Sequence, residues 1–190
     1  LAKNRHPAVL VVVPTRELAV QVNQVFQLFS SALSDKVKTL AVYGGVSINP
    51  QMMDMNGVQI LVSTPGRLLD LIDSKAVYLS AVDTLVLDEA DKMLNLGFQE
   101  EMNKILGLLP KKRQNLLFSA TLSPDLDSLS TLLMKDAVVI NIEPKETESE
   151  LINQSGFFVP EEQKGPLLRY LIKNNDFKQV LVFTSSGRKA

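Results

Sequence analysis

The apolar positions of this chain fall into short unbroken runs that alternate with amphipathic stretches. Residues 9–13 are apolar throughout and stop at Pro14. A run that short, apolar at every position, predicts a strand buried on both faces. Over residues 17–33 the spacing changes, with Leu18, Val22, Val25, Phe26, Phe29 and Leu33 forming a helical stripe. The alternation continues with strands at 39–43 and 59–63, ended by Gly44-Gly45 and by Thr64-Pro65-Gly66. A short helix at 67–72, a strand at 84–87, a helix at 99–109 and a strand at 115–118 follow. A helix at 124–134, opened by Pro124, and a strand at 137–142 close the series. This order predicts an α/β fold, a parallel sheet with helices on both faces.

After residue 142 the composition shifts. Residues 143–150 hold Glu143, Glu146, Glu148 and Glu150 with Pro144 and Lys145, a linker composition with few core residues. Beyond it, a strand at 156–159, a helix at 161–174 and a strand at 179–183 are expected. About 40 residues are too few to bury a core alone, so 151–190 reads as the opening of a second domain. Residues 1–142 are expected to form the first domain. The chain begins at Leu1 rather than Met, and residues 1–4 read as the end of a helix begun upstream.

Composition narrows the function. The 190 residues are 45% hydrophobic and carry a formal net charge of −1. Without a basic block, any contact with a polyanion comes from a few placed groups rather than a general field. No cysteine is present and His6 is the one histidine, which excludes disulfides, thiolate metal sites and His-rich sites. No apolar stretch is long enough to span a bilayer and no signal peptide is visible. These features predict a soluble, cytoplasmic protein.

The chemistry-bearing residues stand at the ends of the expected strands. Asp88-Glu89-Ala90-Asp91 follows the strand at 84–87, where open α/β sheets place their ligand crevice. An aspartate there suits Mg²⁺ and a neighbouring glutamate suits the orientation of an attacking water; adjacent acids also serve as plain helix caps. Ser119 and Thr121 follow the strand at 115–118, as partners for a carboxylate or as turn residues. Pro14, Thr15 and Arg16 begin a helix, and Thr64, Pro65, Gly66 and Arg67 repeat the combination of hydroxyl, close backbone and guanidinium. Helix starts of this kind suit a phosphate oxygen. Gly44-Gly45 is either a simple turn or a place where backbone comes close to a ligand.

Taken together, Pro14-Thr15-Arg16-Glu17-Leu18-Ala19, Gly44-Gly45, Thr64-Pro65-Gly66-Arg67, Asp88-Glu89-Ala90-Asp91 and Ser119-Ala120-Thr121 resemble, in order and spacing, the motifs of the DEAD-box RNA helicases. The resemblance covers nearly the whole chain. It implies a RecA-like sheet of the P-loop NTPase type, ATP and Mg²⁺ as cofactors, RNA as partner, and a monomer. It implies that Asp88 binds Mg²⁺ through water, that Glu89 activates the hydrolytic water, and that Asp91 couples the ATP site to Ser119 and Thr121. Pro14, Thr15, Arg16, Gly44, Gly45, Thr64, Gly66 and Arg67 are the implied RNA contacts. Thr184-Ser185-Ser186-Gly187-Arg188-Lys189 resembles the first motif of the family's second domain.

Three family features are missing from the 190 residues: the phosphate-cradling Gly-x-x-x-x-Gly-Lys-Ser/Thr loop, the adenine-reading segment before it and the second-domain arginines. The expectation is therefore a piece of a longer enzyme, inactive alone, whose sheet has a gap where the phosphate-loop strand belongs. Two other readings remain: a non-catalytic RNA-clamping or partner-binding module, and another nucleic-acid-dependent ATPase on the same core.

Overall fold

The computed structural model of the chain describes residues 4–121, 137–142 and 153–184. Its contacts divide into two units, Leu1–Val139 and Ile140–Ala190.

In the first unit five strands pair in parallel: β1 (Val9–Val12), β2 (Thr39–Val42), β3 (Ile60–Ser63), β4 (Thr84–Leu87) and β5 (Gln114–Leu117). Their order across the sheet is β2-β3-β1-β4-β5. The described ladder is continuous, so the gap expected inside it is not there; β2 and β5 are its two edges. At the β5 edge Leu116 and Phe118 are 37% and 54% exposed.

The helices are α1 (Arg16–Ser31), α2 (Ile48–Asp54), α3 (Pro65–Asp73), α4 (Ala90–Asn95) and α5 (Gln99–Leu108). Both sheet faces are apolar, and each builds its own core. On one face Val11, Val13 and Val62 bury against Ala19, with Leu18, Val22 and Phe26 of α1 packed around them. On the other, Leu10, Leu61 and Leu85 join Leu68 and Leu71 of α3, Met93 of α4, and Met102 and Ile105 of α5. This is the two-sided burial that apolar parallel strands require.

Two elements were not expected from the sequence. Helix α2 contains Pro50, which reads as a breaker but lies in the first turn, where its missing N–H costs no helical hydrogen bond. Helix α4 is six residues long, too short to display a period. The helix expected at 124–134 and the linker at 143–150 fall outside the described residues.

Three expected strands are corrected. Residues 137–142 have no regular structure, and in the second unit residues 156–159 and 179–183 likewise have none. An apolar run becomes a strand only where a neighbour completes its backbone hydrogen bonds. No ladder reaches these runs among the described residues, and Phe158, Leu181 and Phe183 lie exposed. The expected helix does form, as a 3₁₀ turn at Glu161–Gln163 leading into α6 (Lys164–Asn174).

Candidate functional site

The strand register fixes where each candidate residue stands. Val12 pairs with both Ser63 and Leu87, Val42 with Ser63, and Leu87 with Leu117. The segments after these residues therefore leave the sheet along one edge, with neighbouring strands about 4.8 Å apart. Read across the sheet, that edge presents Gly44-Gly45, Thr64–Arg67, Pro14–Arg16, Asp88–Asp91 and Ser119–Thr121. Sheet order permutes only the first three groups of the chain, bringing Pro14–Arg16 beside Asp88–Asp91. The three segments with hydroxyls, glycines and guanidiniums form one half and the acids with their hydroxyl partners the other. The division lies between β1 and β4. Chain direction changes there too, because β1 leads through α1 toward β2 while β4 leads toward β5, and open α/β sheets bind ligands at that kind of switch point.

In the acidic half, the Asp88 N–H donates to the Val12 carbonyl at 3.1 Å, tying the tetrad to β1. Asp88 Oδ1 accepts from the Glu89 N–H at 2.9 Å. Glu89 then turns left-handed, at φ 50 and ψ 48. A non-glycine residue there is strained, and such strain gathers at functional sites. It separates the direction of Glu89 from that of Asp88 and lets α4 begin at Ala90. The Glu89 carboxylate pairs with Lys92 at 3.1 Å, one turn along α4.

Asp91 is joined to β5. The Thr121 hydroxyl donates to Asp91 Oδ2 at 2.6 Å, and the Ser119 hydroxyl donates to the Thr121 carbonyl at 2.7 Å. The Ala90 N–H donates to the Phe118 carbonyl at 3.1 Å. Hydrogen bonding from Thr121 holds the Asp91 carboxyl below its ordinary range, with a smaller contribution from Ser119. A depressed carboxyl pKa stabilises the fold above the unfolded value, and that contribution disappears as pH falls through the folded one. The tie is therefore complete at neutral pH and lost only in acid. Thr121→Val is expected to raise the Asp91 pKa toward that of a free aspartate, as read from the carboxyl ¹³C shift across an acid titration. An unchanged titration would mean that the hydroxyl does not hold Asp91.

In the other half, Thr15 is the N-cap of α1, and its Oγ1 accepts from the Leu18 N–H at 3.2 Å. Arg16 is exposed and pairs with Glu17 at 3.1 Å. It also reaches toward the neighbouring glycines: a Cβ placed on Gly45 would stand 3.9 Å from Arg16 Nη1. Gly45 sits at φ 80, a left-handed position that favours glycine. Thr64 caps α3 by backbone alone, without a side-chain cap bond, and Pro65 opens the helix. Pro14 is buried and fixes the chain as it leaves β1. Arg67 stands apart from the expectation. It is 7% exposed, and its Nη2 donates to the Val46 carbonyl at 2.7 Å instead of facing solvent.

Sequence reading missed Gln51. Its buried side chain bonds both backbone groups of Tyr43 at 3.2 Å, Oε1 accepting from N–H and Nε2 donating to the carbonyl. The apolar spacing of Ile48, Met52 and Met55 would have located its helix.

A family model described as DEAD/DEAH box helicase matches residues 1–129. The chain belongs to the DEAD/DEAH box helicase family. Among curated relatives, it is 41% identical over 181 residues to the DEAD-box ATP-dependent RNA helicase CshA of Streptococcus pneumoniae, a match covering 95% of this chain and 34% of that one. It is 38% identical to the ATP-dependent RNA helicase CshA of Listeria monocytogenes, over 98% of this chain and 36% of the relative. It is 36% identical to the ATP-dependent RNA helicase DBP2 of Gibberella zeae, over 100% of this chain and 35% of the relative. The chain thus spans about a third of the length of these relatives. Among solved structures, the yeast DEAD-box splicing factor Prp28 superposes with a TM-score of 0.63 at 34% identity, covering 68% of this chain and 31% of that one. The sheet and its helices are those of a DEAD-box RecA-like domain.

Within this DEAD/DEAH box helicase chain, Thr15 caps α1 and is also an expected phosphate contact. Thr15→Ala is expected to lower domain stability by about 1 kcal/mol through loss of the cap. Thr15→Asp is expected to restore stability, because aspartate caps as well, while placing negative charge where a phosphate would lie. Thermal melting beside RNA binding checks this. Equal RNA affinity for Thr15→Asp and the unsubstituted protein would remove Thr15 from the interface.

Proposed function

We propose that this chain is part of a longer ATP-dependent RNA helicase, in which RNA-stimulated ATP hydrolysis remodels RNA duplexes or RNA–protein complexes. The observation that carries this reading is the sorting of the five motif segments along one sheet edge, acids on one side of the switch point and phosphate-seeking groups on the other. The names of the relatives support the same activity.

Asp88 is the residue that would hold Mg²⁺. It is a hard oxygen donor at a strand end. That donor set fits Mg²⁺, which keeps several waters and uses one or two carboxylates with substrate phosphates. When bound, Mg²⁺ with ATP supplies charge neutralisation across the phosphates. Glu89 is the general base: it orients a water and accepts its proton. Asp91, through Thr121 and Ser119, carries the state of the ATP side to the end of β5. Thr15, Arg16, Gly44, Gly45, Thr64 and Gly66 hold the sugar-phosphate backbone, so binding is independent of base sequence. A monomer suffices, because every group invoked lies on one chain.

The phosphate loop and the arginines that complete such a site belong to the rest of the longer protein. Among the described residues no helix is long and apolar enough to cross a membrane; an RNA partner supports the reading of a protein that works inside the cell. Comparing RNA and DNA oligonucleotides of one sequence as activators of ATP turnover by the full-length protein tests the reading. Stimulation by RNA is expected; equal stimulation by DNA would favour a general nucleic-acid-dependent ATPase.

A further inference from the structure

The turn carrying Gly44-Gly45 is bracketed by two buried side chains from elsewhere in the chain. Before it stands Tyr43, the residue following edge strand β2, with its backbone N–H and carbonyl both bound by Gln51. After it stands Val46, with its carbonyl bound by Arg67. Only the two glycines lie between the anchors, both exposed, and Gly45 holds the left-handed conformation.

This arrangement answers a physical problem. Glycines let backbone N–H groups approach a phosphate closely, but they also leave a turn more conformations to lose on binding than any other residues would. A turn held at both ends has already lost them. One of the two anchors is costly, which argues that position is what it secures. Gln51 is a buried amide in a seven-residue helix. Arg67 is a buried guanidinium whose other contact is an ion pair of Nε with Asp70 at 3.4 Å, and whose Nη1 has no hydrogen-bond partner. Burying a cation so incompletely satisfied is unfavourable for stability alone.

We propose that Gln51 and Arg67 are positioning residues of the RNA site: they preset the Gly44-Gly45 turn for the RNA backbone, and Arg67 acts through Val46 rather than by touching RNA. The inference rests on the RNA-binding reading above and adds the device that shapes this part of the interface.

The test is the affinity of the full-length protein for a single-stranded RNA oligonucleotide, measured with a non-hydrolysable ATP analogue across a salt series. Gln51→Met and Arg67→Met are each expected to weaken binding about tenfold, the loss of a preset backbone contact. The double variant should bind no more weakly than the worse single one, because both act on one turn. Affinity for ATP should stay unchanged, which also shows that the variants are folded. The salt slope separates positioning from contact. If Arg67 grips a phosphate, its loss lowers the slope of log Kd against log salt by about 0.7; if it positions the turn, the slope stays. Should Arg67→Met fail to fold, Gln51→Met carries the comparison alone, since it removes no charge. Unchanged RNA affinity in Gln51→Met, or a reduced slope in Arg67→Met, would overturn the assignment. An unsubstituted protein that binds no RNA would instead overturn the functional reading on which it stands.

Discussion

Glu89→Gln in the full-length protein is expected to lower RNA-stimulated ATP turnover by about 10²–10⁴-fold, the usual contribution of a general base. The substitution is nearly isosteric and leaves the backbone as it is, including the left-handed turn at position 89. What it removes is the capacity to accept a proton from water. The Lys92 partner does not prevent that role. The pair is half exposed at both ends, and surface pairs of this kind are worth at most about 1 kcal/mol, so Glu89 can leave Lys92 when ATP and RNA close the site. Binding of RNA should survive, because the groups proposed to hold it lie elsewhere along the edge, and binding of ATP should survive because Asp88 and the phosphate loop of the longer protein are unchanged. Turnover within tenfold of the unsubstituted enzyme would remove Glu89 from the chemistry.

Leu85→Ala is expected to reduce the unfolding free energy of the domain by about 2–5 kcal/mol, the range for truncating a fully enclosed leucine. Leu85 is 0% exposed. It lies in β4, the strand that delivers Asp88 and Glu89, and is flanked by Leu10 of β1 and Asn115 of β5. It faces the larger of the two cores, where helices α3, α4 and α5 pack, so few neighbours are free to collapse into the space left behind. Val86→Ala points to the opposite, less enclosed face and should cost less. Urea unfolding monitored on this domain measures both. A loss under 1 kcal/mol at Leu85 would mean that the sheet does not depend on this core.

Much of the fold was legible because buried parallel strands carry an unmistakable pattern. Residues 9–13, 59–63 and 84–87 contain β1, β3 and β4 with at most one residue of excess at an end. The same pattern misled where no partner strand was at hand: residues 179–183 read as a strand, yet pairing is a property of neighbours, not of the run itself. Helix α2 went unread although Ile48, Met52 and Met55 stand at helical spacing; its Pro50 lies in the first turn and breaks no helical hydrogen bond.

The site was legible as residue types and orders but not as geometry. The motifs named Thr15, Thr64, Asp88, Asp91 and Thr121 and their strand ends; only the β2-β3-β1-β4-β5 order revealed that the segment after β1 is the one that stands beside the acids. Arg67 shows the limit most clearly. An arginine at a helix start reads as a phosphate ligand, and nothing local tells that its guanidinium turns inward to Val46. Gln51 carried no signal of its own, since its partners, the backbone groups of Tyr43, have no signature in a sequence.

The most direct test of the account is steady-state ATP hydrolysis by the full-length protein, measured as single-stranded RNA is added. The account predicts low turnover without RNA and a saturable rise with it. RNA binding without any turnover, from a folded protein holding ATP, would contradict it and leave the acidic half of the edge without the chemistry assigned to Asp88 and Glu89.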